Sequence, residues 1–244
     1  MNIELTVAII SGVFAIIAGI IAVIGQKSNT KLSHQLELLK LDREDEKEVS
    51  NYKEPLIKAA YDLQSRLYNI LMMQLLEAYY ENGDSREREY VVESTLFLIA
   101  QYFCWTEIIR NGIQFIDLGE DEKTKKLSDL INKISQTFLT DQYGNTFRIF
   151  AGEQRALGEI MILENDSGRN QCIGYNKFRT DFMIFKSHSI FDYLKEDIET
   201  TSKNLDSVSK RLILIQNYLI DLIDYLDPKF IRYPKKYRTK INLD

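Results

Sequence analysis

The 244-residue chain has only two cysteines, two histidines and three prolines. Cys104 and Cys172 are too few for a disulfide scaffold, and neither they nor His34 and His188 have the spacing of a zinc motif. Scarce proline, only 11 glycines and 45% hydrophobic residues exclude a disordered or collagen-like chain. We therefore expect a protein that folds in a reducing compartment, with no metal and no cofactor.

Most of the chain also lacks excess positive charge. Residues 51–226 carry 20 basic and 27 acidic side chains, whereas residues 227–244 carry six basic and two acidic. Duplex binding depends on clustered Lys and Arg that neutralise phosphates, so the acidic body argues against nucleic acid as the main partner.

One long hydrophobic run is present. In Leu5–Gly25, 19 of 21 residues are apolar, Gly or Ala, and only Thr6 and Ser11 are polar. About 20 such residues span the hydrocarbon core of a bilayer. A signal peptide is the alternative, but Glu4 and no basic residue precede the run, and no A-x-A cleavage site precedes Gln26. The run predicts a retained transmembrane helix.

The charges beside the run predict its orientation. Lys27, Lys31 and Lys40 follow it, and no Lys or Arg precedes it. Because basic flanks stay on the cytoplasmic side, we expect the N-terminus outside and the large domain in the cytoplasm.

Small residues form a seam along the predicted transmembrane helix. They recur with the 4,3 spacing of one helix face, at Ala8, Gly12, Ala15, Gly19 and Ala22. Small seams allow two backbones to approach closely in lipid, which predicts self-association through this face. Plain anchoring is the alternative, since Gly and Ala are common in membrane helices.

The sequence predicts four segments and an all-α fold. These are a transmembrane anchor over 1–26, a helical stalk over 27–54, a cytoplasmic helical bundle over 55–227 and a basic aromatic tail over 228–244. In the bundle, Pro55 is suited to be the first helical residue. The apolar spacing predicts five or six helices.

The predicted helices of the bundle differ in how apolar they are. An amphipathic helix is expected from Pro55 to a turn at 82–85, and a buried central helix over about 87–109. A third helix is expected over 120–139, and a fourth over 146–163, in which 147–150 is alternatively a short strand.

The clearest periodicity lies near the C-terminus. Apolar or small residues follow unbroken 4,3 spacing at Leu194, Ile198, Thr201, Leu205, Val208, Leu212, Ile215, Leu219, Leu222 and Leu226. This pattern predicts one long helix with a heptad seam. An exposed coiled coil and burial in the bundle both fit. A second apolar row at Ile213, Ile220 and Ile223 favours the bundle.

One polar cluster suggests a ligand site. If residues 146–163 are helical, Arg148, Gly152, Arg155 and Glu159 share a face at 4,3,4 spacing. Paired guanidinium groups bind phosphate or carboxylate, so an anionic-ligand site is one interpretation. Salt bridges of the arginines with Glu153 and Glu159 are the other.

Two smaller pairs are weaker signals. Asp62 and Arg66 are four residues apart, which predicts an ion pair on one helix face. Cys172 and His188 are the one thiol and imidazole pair that nucleophilic catalysis would have available, but nothing local orients either group. No catalytic constellation is legible, and we favour a protein that is not an enzyme.

The tail combines basic and aromatic residues. Its cations are Lys229, Arg232, Lys235, Lys236, Arg238 and Lys240. On a membrane-tethered protein these residues suit an anionic lipid surface. A terminus that complements the acidic body, a nucleic-acid contact and a protein partner are the alternatives.

Three segments resemble an uncharacterised family of bacterial membrane-anchored helical proteins. They are residues 52–69, 147–159 and 172–175. The resemblance implies a bacterial inner membrane and carries no activity or site residue.

The leading functional expectation is a single-pass, self-associating scaffold that presents a cytosolic helical domain to a protein partner, with the lipid bilayer around its anchor. The alternatives are a membrane-perturbing effector assembled through the transmembrane helix, and a sensor or enzyme for an anionic ligand that uses Arg148 and Arg155.

Overall fold

The computed structural model describes residues 52–113, 121–166, 168–185 and 189–243, together with Gln26. The chain divides into two compact units, Met1–Ser50 and Asn51–Asp244, and the fold below is that of the second. The predicted transmembrane helix, its seam and nearly all of the predicted stalk lie outside the described residues. Within the described ranges, no helix is both long and apolar enough to cross a bilayer.

The first described helix, α1, covers residues 52–72. Its predicted apolar stripe is buried, with Leu56 and Leu63 fully inaccessible. The helix already includes the residues before Pro55, so the prediction that Pro55 is its first residue is wrong. The predicted continuation to residue 81 is also wrong. Gln74 takes a left-handed φ of 53°, which an α-helix does not accommodate, and a separate π-helical turn follows at Glu77–Glu81.

Helix α2, Ser85–Ile113, is the buried central helix that the sequence predicted. Every residue from Val91 to Ile109 is buried or half-buried. A helix that is apolar on most sides has to be covered on most sides. The π-helical turn and four later elements, described below, pack against α2.

Helix α3, Asp121–Leu139, matches the third predicted helix, and the turn that follows it has Gly144 at a φ of 79°. Helix α4 covers only Ala151–Glu159. The predictions of a helix from Thr146 or a strand over 147–150 are both wrong, because Phe147 has a left-handed φ of 55°. Glu153 accepts a hydrogen bond from the N–H of Phe150 at 2.8 Å. This bond caps the N-terminus of the helix, which therefore begins at Ala151.

Helix α4 crosses α2 at close range through Gly158. A Cβ at Gly158 would lie 2.6 Å from the backbone oxygen of Phe103 and 2.8 Å from the Cβ of Glu107. Only a residue without a side chain fits this crossing. Gly152, which the sequence singled out, has no neighbour within 4 Å of a built Cβ.

A short antiparallel hairpin follows α4. Strand β1, Ile162–Glu164, pairs with β2, Asn170–Cys172, in a register that sets Ile162 opposite Cys172. Helix α5, Tyr175–Phe185, comes next. The hairpin is a small addition to a mostly helical fold, so the prediction of the all-α class is confirmed at that level.

The predicted long C-terminal helix is two helices, α6 (Ser189–Lys203) and α7 (Asp206–Leu226). Asn204 interrupts it, because its side-chain oxygen accepts from the N–H of Ser207 at 3.4 Å and its carbonyl accepts from the Ser207 hydroxyl at 2.9 Å. The heptad seam remains buried or half-buried throughout. Helix α6 packs on α2 and α7 on α3, so the seam lies in the bundle.

Arg211 ties α7 to the end of α3. Its side chain is fully buried and donates to the carbonyls of Thr137, Phe138, Thr140 and Gly144 at 2.6–2.9 Å. The last carbonyls of a helix lack intrahelical donors, and Arg211 supplies them. Burial lowers the pKa of Arg211, and so does the nearby charge of Arg148.

Two glycines of α4 should respond oppositely to alanine. Gly158→Ala is expected to lower the free energy of unfolding by about 1–3 kcal/mol, because the added methyl overlaps the α2 backbone. Gly152→Ala, the matched control, should raise it by about 0.5–1 kcal/mol, because alanine favours a helix and has space there. Urea unfolding of the full-length protein in mild detergent measures both. Equal effects would contradict the close crossing.

Asp197 on α6 should make stability depend on pH. It accepts the N–H of Phe147 at 2.8 Å and so holds the left-handed turn. Burial raises its pKa to about 6, although this N–H and Arg211 oppose the rise. The folded state therefore keeps a proton that the unfolded state releases near about pH 4, and stability falls as pH rises from about 4 to above 6.

The variant Asp197→Asn should remove this loss of stability at higher pH, because an amide oxygen accepts the same N–H without a buried charge. Urea midpoints at about pH 4.5 and about pH 7.5 provide the measurement. We expect the variant to be the more stable protein at the higher pH. A variant that shows the same fall as the parent would disprove the role of Asp197.

Candidate ligand-binding groove

A groove runs between α1 and α2, with residues 172–175 along one side. We call it the α1–α2 groove. It contains a larger cavity of about 580 Å³ opposite residues 101–105 and a smaller one of about 350 Å³ opposite residues 90–98. Both volumes fall in the range typical of small-molecule sites. Residues 52–69 and 172–175, two of the segments that carry the family resemblance, border this groove.

The larger cavity has a charged rim and an aromatic wall. The carboxylate of Glu54, at the start of α1, forms an ion pair with the guanidinium of Arg232 at 2.6 Å. Trp105 and Gln101 line the α2 side. The side-chain oxygen of Gln101 is buried and has no donor among the described residues.

Two side-chain pairs separate the cavities. Tyr61 stacks on Tyr233 with ring centroids 3.7 Å apart. Beside this stack, Lys58 binds Asp62 at 2.7 Å, and the hydrogen bond to Asp62 raises the pKa of Lys58. The prediction of an Asp62–Arg66 ion pair is therefore wrong, because the carboxylate turns to Lys58, one turn earlier on α1.

The smaller cavity contains a cation without an anion. The guanidinium of Arg66 lines it, and one guanidinium nitrogen is buried with no acceptor among the described residues. The Arg66 Cζ lies 6.0 Å from the ring centroid of Tyr90. Burial lowers the pKa of Arg66, although the Tyr90 hydroxyl opposes this shift. Sequence reasoning missed this site because it assigned Arg66 a partner.

The two cysteines meet at the edge of the groove. Cys172 at the end of β2 lines the larger cavity, and Cys104 on α2 is fully buried behind it. A hydrogen bond to Cys172, together with burial, raises the pKa of Cys104. A raised pKa keeps a thiol protonated and unreactive. The thiol and imidazole pair that the sequence allowed is Cys172 with His188, and His188 lies outside the described residues.

The structure places one member of the predicted anion cluster, Arg148, outside helix α4. Arg148 precedes α4 and lies over the ring of Phe150 at 4.8 Å. Arg155 lies on the helix and lines a separate cavity of about 380 Å³ with Arg110. The four residues Arg148, Gly152, Arg155 and Glu159 do not form one helix face, because the helix begins at Ala151. Whether any of them binds an anion stays a prediction.

The sequence offered salt bridges of these arginines with Glu153 and Glu159 as the alternative. In the structure, nearby carboxylates have other partners. Glu153 is used at the start of α4, as described above. Glu107 on α2 forms a bidentate pair with Arg110. Across the described residues, no group of three His, Cys, Asp or Glu side chains is placed to hold a metal ion.

The basic tail folds back on the body. Arg238 is buried and binds Asp224 at 2.9 Å and the carboxylate of Asp227. Lys240 pairs with Asp221 at 2.5 Å, and Arg232 with Glu54. Three of the six cations therefore complement acidic residues of the body. Lys229, Lys235 and Lys236 are exposed, and their contact with lipid stays a prediction.

Asp227 organises the start of the tail. Its carboxylate accepts backbone N–H groups from Ile231, Arg232 and Tyr233. Burial would raise the pKa of Asp227, but these bonds and Arg238 together hold it below its usual range. The exposed loop that results includes Ile231, which is 75% accessible.

Comparison of the chain with protein-family models, with curated proteins and with solved structures found no match. The resemblance to uncharacterised bacterial proteins therefore stays a prediction, and function has to be argued from the groove, the tail and the sequence.

Removing the buried tail cation should release the tail. Arg238→Leu leaves Asp227 buried without its cation, and we expect the free energy of unfolding to fall by about 3–5 kcal/mol. Lys240→Leu, the control, removes an exposed pair and should cost at most about 1 kcal/mol. Trypsin should also cut residues 229–236 faster in the first variant. Equal urea midpoints for the two variants would contradict this role of Arg238.

Proposed function

We propose that the protein is a single-pass membrane protein whose cytoplasmic helical domain binds a protein partner. The observation that carries the proposal is the Leu5–Gly25 run, because a segment of that length and hydropathy is stable in a bilayer. The compact unit Asn51–Asp244 follows it in the chain. The basic residues after the run support a cytoplasmic position for this domain. The resemblance to bacterial proteins implies that the membrane is the bacterial inner membrane.

The chemistry of the groove supports binding in preference to catalysis. Its charged side chains mostly neutralise one another, as in the Glu54–Arg232 and Lys58–Asp62 pairs. Such pairs stabilise a surface, and the paired groups are not free to act as a base. The buried thiol of Cys104 has a raised pKa, which argues in the same direction.

The start of the tail supports a position close to a membrane surface. Exposed Phe230 and Ile231 stand beside the exposed Lys229, and Arg232 pairs with Glu54 at the start of α1. Apolar side chains flanked by cations are the composition that binds anionic lipid. The proposal therefore includes contact of this loop with the cytoplasmic leaflet.

Self-association is the second part of the proposal. The seam Ala8, Gly12, Ala15, Gly19 and Ala22 would bring two transmembrane helices together, so the domain would be presented in at least two copies.

Fractionation tests the anchor. The full-length protein should stay in the membrane pellet after alkaline carbonate extraction, whereas the chain without residues 1–26 should move to the supernatant, because the apolar run alone supplies irreversible insertion. A protein that co-purifies from native membranes should lose its membrane localisation when the truncated chain replaces the full-length one. A partner that stays at the membrane would sink the scaffold proposal.

Substitution in the seam tests self-association in the same preparation. Gly12→Ile with Gly19→Ile should lower the dimer fraction in detergent, while Val13→Leu with Ile17→Leu, on the opposite side of the helix, should not. Cross-linking followed by light scattering measures the dimer fraction. If both pairs leave it unchanged, the protein does not associate through this face.

A further inference from the structure

The smaller cavity of the α1–α2 groove holds a charge that the protein does not neutralise. Asp62, one turn before Arg66, is bound to Lys58 at 2.7 Å. Glu93 on α2 is bound to Arg179 on α5 at 2.8 Å. The nearby carboxylates are thus committed to other cations, and one Arg66 nitrogen is buried without an acceptor in the described part of the chain.

This arrangement is costly unless something else supplies the acceptor. A guanidinium has five N–H donors and no way to lose its charge at ordinary pH. A buried donor without an acceptor destabilises the folded state, and a buried charge does so more strongly. The buried arginines Arg211 and Arg238 each also have one nitrogen without an acceptor among the described residues, but their other guanidinium nitrogens donate to carbonyl or carboxylate oxygens of the protein.

The walls of the cavity are those of a binding site for a small molecule. Phe97 and Leu98 provide an apolar side, and Tyr175 and Tyr90 provide rings with hydroxyl groups. Tyr90 is 54% exposed, so its side chain can move to admit a ligand to the guanidinium. A cavity of about 350 Å³ accepts a molecule the size of a metabolite.

We propose that the cavity binds a small organic acid whose carboxylate pairs with Arg66 and whose apolar part lies against Phe97 and Leu98. A planar carboxylate matches the guanidinium with two parallel hydrogen bonds. A single cation with an apolar wall suits one carboxylate, whereas phosphate groups are usually bound by several cations or by backbone N–H groups. This site does not depend on the membrane anchor.

Calorimetry tests the proposal on the full-length protein in nanodiscs of neutral lipid. Phenylacetate, phenylpropionate and hexanoate are titrated beside their uncharged amides, which have the same shape without the negative charge. At least one acid should bind saturably with a dissociation constant of about 1 mM or lower, and its amide should not. If no acid binds, or if an amide binds as well as its acid, the proposal is overturned.

Variants then locate the binding. Arg66→Gln should weaken the binding of the acid by at least about tenfold. The control Arg155→Gln, an exposed arginine on α4, should leave the affinity unchanged. The charge of Arg66 has no carboxylate partner in the parent protein, so Arg66→Gln should unfold at no lower a urea concentration than the parent. Loss of binding in Arg155→Gln alone would place the site on α4 and reject the α1–α2 groove.

A second variant keeps the arginine and supplies the anion from the protein. Asn69 lies one turn after Arg66 and lines the same cavity. Asn69→Asp should compete with the acid for Arg66 and weaken its binding by about tenfold, whereas Asn69→Gln should not. Unchanged affinity in both Arg66→Gln and Asn69→Asp would disprove the site.

Discussion

The burial of α2 is the constraint on which the rest of this fold depends. From Val91 to Ile109 the helix is shielded from water, so the other elements have to surround it. Helix α4 crosses α2 at close range through Gly158, and α5, α6 and the hairpin also pack against it. On the α1 side, the groove with its two cavities lies between the two helices. The binding site proposed for this protein is therefore a consequence of how its central helix is covered.

Two buried arginines and the half-buried Arg66 show how the same side chain is used in different ways. Arg211 donates to four carbonyls at the end of α3 and joins distant parts of the chain. Arg238 binds Asp224 and Asp227 and attaches the tail. Each gains acceptors that offset the loss of hydration. Arg66 differs, since the carboxylates near it are bound to lysine or arginine, and an incoming carboxylate would give it what the other two have within the protein.

Candidate sites were the least predictable part of the molecule. The Arg148–Glu159 face required a helix, but Asp197, about fifty residues later on α6, binds the N–H of Phe147 and holds that segment in another conformation. Asp62, the expected partner of Arg66, forms its ion pair with Lys58 instead. Local spacing shows which side chains are able to meet, but competition among several partners decides which of them do. The meeting of Cys104 and Cys172 had no local signal at all.

The sequence by itself determined the helical class and the buried stripes of α1, α2 and α7, because the periodicity of apolar residues is a local property. It also supplies the apolar run on which the membrane proposal depends. Only the tertiary structure decided where the long patterns break, at Gln74 and Asn204, and which charges remain unpaired. Those outcomes depend on hydrogen bonds and packing between residues far apart in the chain, and such contacts leave no periodic trace in the sequence.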